Sequence, residues 1–140
     1  SEIQAALGLS QIERLDNYVA RRHELAKCYN SLLSDLPIII PWQPLYSYSG
    51  MHLYVIRLQL DKIKKTHRQV FEALRHEGIG VNLHYIPIYL QPYYKNMSFV
   101  SGAYPEADRY YSSALSLPLY PSLCKADQLK VVDRLRSVLG

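Results

Sequence analysis

Residues 1–15 read Ser1-Glu2-Ile3-Gln4-Ala5-Ala6-Leu7-Gly8-Leu9-Ser10-Gln11-Ile12-Glu13-Arg14-Leu15, and this stretch decides how the rest of the chain is understood. It has helix-interior character from the start. It carries no initiator Met and no basic-then-apolar signal pattern, and it lacks the poorly packed polar character usual at the end of a domain. The apolar positions continue as Val19, Leu25/Ala26, Tyr29, Leu32/Leu33 and Leu36, one helical face. A continuous helix over 3–36 would be roughly 50 Å long. A compact domain of this size has a radius of gyration near 14 Å, so a diameter of roughly 37 Å. A helix longer than its domain, with Ala5, Ala6 and Gly8 in its first turns, implies a front end packed on something outside this sequence. That partner is another domain or a second copy, and the chain reads as cut from a longer protein.

Beyond this helix, Pro37, Pro41 and Pro44 enforce an extended connection that carries Trp42, Tyr46 and Tyr48. Residues 51–60 read as a strand, with Leu53, Val55, Leu58 and Leu60 as its aliphatic set and Tyr54, Ile56 and Arg57 between. Thr66 and Gln69 form a capping box for a helix over 67–77, with Val70, Phe71 and Leu74 as its buried stripe and Gly78 as its stop. Residues 79–86 read as a second strand, Val81, Leu83 and Tyr85 on one face, Asn82, His84 and Ile86 on the other. Pro105 suits the first position of a helix to about 113. Two prolines force residues 115–121 to be extended, and a last helix spans 125–139 with Leu129, Val132, Leu135 and Leu139 inward. The expected fold is α+β: a long N-terminal helix leading into a small, mostly antiparallel sheet covered by helices.

Composition narrows the function classes. The chain has 140 residues, and tyrosine dominates its aromatics, with 13 Tyr against 2 Phe and 1 Trp. Tyr combines an apolar ring with a polar tip, so this is more amphipathic contact surface than a small core needs. A net charge of +4 is spread along the chain. Its densest basic run, Lys62, Lys64, Lys65, His67 and Arg68, reads as a solvated loop and helix start. No carboxylate occurs between Asp35 and Asp61 or between Glu77 and Glu106. Those tyrosine-rich stretches can meet phosphate without repulsion, and they cannot supply a glycosidase's carboxylate pair. No apolar run is long enough for a membrane span. Cys28 and Cys124 lie far apart and fit a reducing compartment, so a cytoplasmic location is expected.

The chain has no glycine-rich phosphate loop, no G-x-S-x-G elbow and no H-E-x-x-H motif. Its five histidines do not fall at metal-ligand spacings with either cysteine. Lys62, Lys64, Lys65 and Lys95 sit in polar context, unlike an amine activated for Schiff-base chemistry. The one segment with the look of a site is Gly80-Val81-Asn82-Leu83-His84-Tyr85-Ile86-Pro87. There a strand presents an amide and an imidazole on one face, followed by aromatics and prolines. That combination suits a rigid binding edge, although composition alone favours a half-buried sheet whose polar side chains simply face water.

Three motifs carry a resemblance to a known family. Residues 1–15 look like a family helix motif. Gly78-Ile79-Gly80-Val81-Asn82-Leu83-His84-Tyr85-Ile86-Pro87, leading to Gln91-Pro92-Tyr93-Tyr94, is the second. Ala114-Leu115-Ser116-Leu117-Pro118-Leu119-Tyr120-Pro121-Ser122-Leu123 is the third. In order and spacing they resemble the DegT/DnrJ/EryC1/StrS family of pyridoxal-phosphate-dependent sugar-nucleotide aminotransferases. Within it, the likeness is greatest to the UDP-4-amino-4,6-dideoxy-N-acetyl-altrosamine transaminases.

The resemblance implies the C-terminal part of a fold-type-I enzyme more than twice this length. Residues 1–36 would be a long interdomain helix and 37–140 the C-terminal small domain. The cofactor-binding Lys would lie upstream of Ser1, so no catalytic or cofactor residue transfers to this chain and the segment alone is expected to be inactive. Asn82, Leu83, His84 and Tyr85 would line the nucleotide-sugar pocket. The implied partners are a UDP-linked 4-keto-6-deoxy sugar, an amino-acid amine donor and a second copy in a homodimer, with no nucleic acid and no membrane. Pyridoxal 5'-phosphate would serve the full-length enzyme without a covalent link to this segment. Two departures stand out: Tyr89 replaces a His common in relatives, and Cys124 replaces a Thr or Ser cap on the last helix. The alternative reading is a stand-alone basic, Tyr-rich module for RNA or protein interaction, although the RNP pattern of RRM domains is absent.

Overall fold

A computed structural model describes residues 1–97 and 102–140 of the chain. Helices α1 (Glu2–Ile12) and α2 (Leu15–Leu32) lead into strand β1 (Ile38–Ile39) and strand β2 (Tyr54–Leu58). Helix α3 (His67–His76) follows, then a 3-10 turn (Ile88–Leu90), α4 (Pro92–Lys95) and α5 (Pro105–Tyr111). Strand β3 (Ala114–Leu117) and helix α6 (Lys125–Leu139) complete the fold. The sheet is antiparallel in the order β1-β2-β3, with Ile38 opposite Leu58 and Tyr54 opposite Leu117. The α+β architecture is as expected from the sequence.

The expected single helix over 3–36 is broken at Glu13–Arg14. Arg14 has φ −104° and ψ −2° and caps α2 without a side-chain bond. Its amide bonds the Gln11 carbonyl, while its own Nε reaches the Ser10 carbonyl that a continuing helix would have given to that amide. On the near side of the break, α1 buries nothing, and Ile3 and Leu7 are 83% and 61% exposed. On the far side, Leu25, Ala26, Tyr29 and Leu33 enter the core.

That core lies on the face of β2 formed by Tyr54, Ile56 and Leu58. The aliphatic set anticipated there is therefore corrected: Leu53 and Leu60 fall outside the strand and are exposed. Every residue of β3 is buried, and the strand pairs with β2 along its length. Helix α3 has the anticipated capping box, Thr66 accepting from Gln69 N and the Gln69 side chain returning to Thr66 N. Val70 and Leu74 are buried, Phe71 only partly, and Gly78 ends the helix at φ +75°, where a side chain would be strained. Helix α6 buries Gln128, Val131, Val132, Leu135, Val138 and Leu139. Leu129, expected inward, faces water. Gln128 takes the inward place, donating from Nε2 to the Leu25 carbonyl at 2.7 Å.

Candidate binding edge

Between α3 and the 3-10 turn, the chain runs along the outer edge of β3. The strand expected over 79–86 is reduced to one bridge. Asn82 and Ser116 exchange backbone bonds of 3.2 Å and 2.9 Å. Antiparallel pairing about that bridge would place Gly80 opposite Pro118 and His84 opposite Ala114. Pro118 has no N–H to give, and the Ala114 carbonyl already accepts from His67 Nε2 at 2.9 Å. Among the described residues no second backbone bond joins the two segments, and the chain leaves the sheet after one bridge.

The four residues singled out from the sequence take different positions. Val81, just before them, is fully buried and anchors the segment. Asn82 is exposed, and its Oδ1 accepts from the Leu83 amide at 2.9 Å. Leu83 packs against the core. His84 is half-buried, with Nδ1 2.7 Å from the Ser116 hydroxyl. Tyr85 follows a cis peptide, is exposed, and meets the His84 ring edge-on at 4.7 Å. One edge therefore brings together an amide, an imidazole and a phenol, while Leu83 serves the interior.

Tyr89 continues this edge. Its hydroxyl donates to Asp108 Oδ1 at 2.5 Å and its ring lies 4.9 Å from that of Tyr104. The hydrogen bond to Asp108, reinforced by desolvation and the carboxylate's charge, pushes the phenol up to about 12. This ties the 3-10 turn to α5, a contact with no sequence signal because 19 residues separate the partners.

Two further features have no counterpart in the sequence motifs. A cleft of about 730 Å³ lies between α2 and the segment after β1, lined by His23, Lys27, Asn30, Trp42, Gln43 and Met51 among others. Its rim is held by His23, which stacks on Tyr48 at 4.2 Å and donates from Nε2 to the Ser49 carbonyl at 2.7 Å. A second cleft of about 620 Å³ is lined by Gln11, Tyr18, Arg21, Arg22, Pro121 and Ser122. There Arg22 Nε is buried without a hydrogen-bond partner among the described residues.

All seven lysines are exposed, and none occupies the desolvated setting of a Schiff-base amine. The basic run is partly engaged, since Lys65 donates to the Val138 carbonyl and Arg68 pairs with Glu72. Among the described residues no cluster of His, Cys, Asp and Glu could hold a metal, and no helix is long and apolar enough to cross a membrane. Both cysteines are free thiols.

Comparison with known proteins places this geometry. The pattern of the DegT/DnrJ/EryC1/StrS aminotransferase family matches residues 1–136. The spore coat polysaccharide biosynthesis protein SpsC of Bacillus subtilis is 36% identical over 99% of this chain, which covers 36% of that protein. Among solved structures, the putative sugar aminotransferase Spr1654 of Streptococcus pneumoniae, in its PMP form, superposes with a TM-score of 0.89 at 27% identity. That match covers 99% of this chain and 35% of the other. PseC of Helicobacter pylori, an aminotransferase involved in the biosynthesis of pseudoaminic acid, gives a TM-score of 0.88 at 28% identity, covering 99% of this chain and 37% of the other. The chain thus spans little more than a third of the length of the relatives it matches.

Proposed function

The chain belongs to the DegT/DnrJ/EryC1/StrS aminotransferase family, and from that premise we propose that it forms the sugar-binding C-terminal part of an enzyme that aminates a UDP-linked 4-keto-6-deoxy sugar. In this reading an amino acid such as glutamate donates the amino group. Pyridoxal phosphate, held by the rest of the enzyme, supplies the carbonyl chemistry that carries the group between donor and sugar. Residues 37–140 act as the small domain and 1–36 as the connection to the large one. The bare apolar residues of α1 pack there or on a second copy in a homodimer. The observation that carries the proposal is the family match over residues 1–136 in a chain spanning about a third of its relatives.

Asn82, His84 and Tyr85 are assigned to contact the nucleotide sugar, with Leu83 holding their edge against the core. An amide, an imidazole and an exposed phenol suit the oxygens and flat ring of such a ligand. The stretch between Glu77 and Glu106 contributes no carboxylate of its own to repel the diphosphate, and Asp108, which the fold brings beside it, is engaged by the Tyr89 hydroxyl. The names of SpsC and PseC, which concern polysaccharide and pseudoaminic acid biosynthesis, support a sugar acceptor of this class.

The test uses two proteins. The full-length enzyme carrying this sequence, supplied with glutamate and a UDP-4-keto-6-deoxy sugar, should release the amino sugar. The 140-residue chain should do neither this nor acquire pyridoxal phosphate on a lysine after borohydride treatment. Stoichiometric fixation of the cofactor to one of its lysines would overturn the assignment. Turnover with every keto sugar except UDP-linked ones would overturn the choice of substrate.

A further inference from the structure

The hydrogen bond between His84 and Ser116 says more than that two residues touch. Ser116 is only 5% exposed, and among the described residues its hydroxyl has one partner, His84 Nδ1 at 2.7 Å. A hydroxyl carries one hydrogen and must place it on an acceptor when buried. Were Nδ1 protonated and donating to the oxygen, the serine hydrogen would be left inside the protein with no acceptor. The arrangement that satisfies both groups has Ser116 Oγ–H donating to the Nδ1 lone pair. The ring proton then sits on Nε2, since the bond at one imidazole nitrogen sets the state of the other. Nε2 itself makes no hydrogen bond among the described residues.

We propose that Ser116 is a positioning residue that locks His84 as its Nε2–H form, so that the edge offers a hydrogen-bond donor to an acceptor oxygen of the substrate. The inference rests on the proposed role of His84 as a sugar-nucleotide contact, and it adds the polarity of that contact. The group recognised is a carbonyl, hydroxyl or phosphoryl oxygen with a free lone pair. The backbone bridge supports the same conclusion, because the paired bonds between Asn82 and Ser116 fix the serine relative to the histidine two residues along. The sequence distance of 32 residues is closed by the Asn82–Ser116 bridge on this edge of β3.

Long-range proton–nitrogen NMR spectra of the 140-residue chain at neutral pH read the tautomer directly. His84 should be protonated on Nε2. Ser116→Ala should release it to a mixture of tautomers while His23, His52, His67 and His76 keep their signals. Ser116→Thr, which retains a hydroxyl, should restore the Nε2–H form. Finding His84 protonated on Nδ1, or unmoved in Ser116→Ala, overturns the inference. In the full-length enzyme, Ser116→Ala should raise KM for the nucleotide sugar by roughly threefold to tenfold, the loss of one hydrogen bond. The KM for the amine donor should stay unchanged. If the tautomer shifts as expected but neither Ser116→Ala nor His84→Ala alters the sugar KM, the substrate-contact reading fails while the serine–histidine geometry stands.

Discussion

The rings of Tyr29 and Tyr54 meet in the centre of the core, 4.9 Å apart and tilted by 35°, with neither side chain exposed. Each phenol leaves the interior through one hydrogen bond. Tyr29 donates to the Pro118 carbonyl at 3.0 Å and Tyr54 to Asn30 Oδ1 at 2.6 Å. The pair joins α2 to β2 and both to the turn after β3. An aromatic pair costs little where its hydroxyls reach partners, and this one explains part of the tyrosine surplus as structure.

That relationship makes the fold sensitive to alkali. Burial raises both phenols well above the ordinary value of 10.0. In the unfolded chain they ionise near 10, while the native state holds its protons, so the unfolded state binds fewer above that pH. Their contribution is complete below about pH 10 and is lost as pH rises toward their native values. Tyr29→Phe should cost about 1 kcal/mol at neutral pH through the lost bond to Pro118, and should flatten the decline above about pH 10. Urea unfolding across that range measures both effects, and an unchanged alkaline slope would contradict the assignment.

The bare face of α1 gives a contrast between two leucines. Leu7→Ala should change the stability of this chain by less than about 0.5 kcal/mol, as at an open surface position. Leu74→Ala, at a fully buried site, should cost about 2–5 kcal/mol. A large cost at Leu7 would mean that α1 packs against the described core in solution.

Cys124 caps α6 by accepting from the Asp127 amide at 3.4 Å through sulfur. Sulfur is a weak acceptor, and Ser is among the preferred N-cap residues. Cys124→Ser should therefore stabilise the chain by about 0.5–1 kcal/mol, visible as a higher melting temperature. A lower one would mean that the thiol's second contact, with Asp127 Oδ2 at 3.0 Å, outweighs the gain.

Asp108→Asn should return Tyr89 from about 12 toward the ordinary tyrosine range near 10, because the amide carries no charge to oppose the phenolate. Carbon-13 tyrosine spectra followed through an alkaline titration resolve the change. If Tyr89 still titrates near 12 in the variant, burial rather than Asp108 sets its value.

Local rules explain what could be read in advance. The capping box at Thr66 and Gln69, the stop at Gly78, the Pro105 start and the limits of α6 each depend on a few adjacent residues. A kink near Gly8 or Ser10 would have weakened the reading of one long helix, and the structure places the break at Glu13–Arg14, where Arg14 Nε reaches the Ser10 carbonyl. Leu129 and Gln128 exchanged their expected places for a similar reason: periodicity selects an apolar residue, whereas the buried amide is satisfied by a carbonyl 103 residues away. The candidate edge was legible as a segment, since Asn82, His84 and Tyr85 stand together in the sequence. Its partners Ser116 and Asp108 were not.

The sequence by itself determined the α+β order of elements, most helix limits and the family, because these follow from short-range chemistry and from motifs preserved in their spacing. Only the tertiary structure decided that 79–86 pairs through a single rung, that His84 meets Ser116 and that Tyr89 is tied to Asp108. Each of these depends on which carbonyls and amides remain available once distant strands and helices have met. His84 stands outside the ladder, with Nδ1 held by the Ser116 hydroxyl that the fold brings to it.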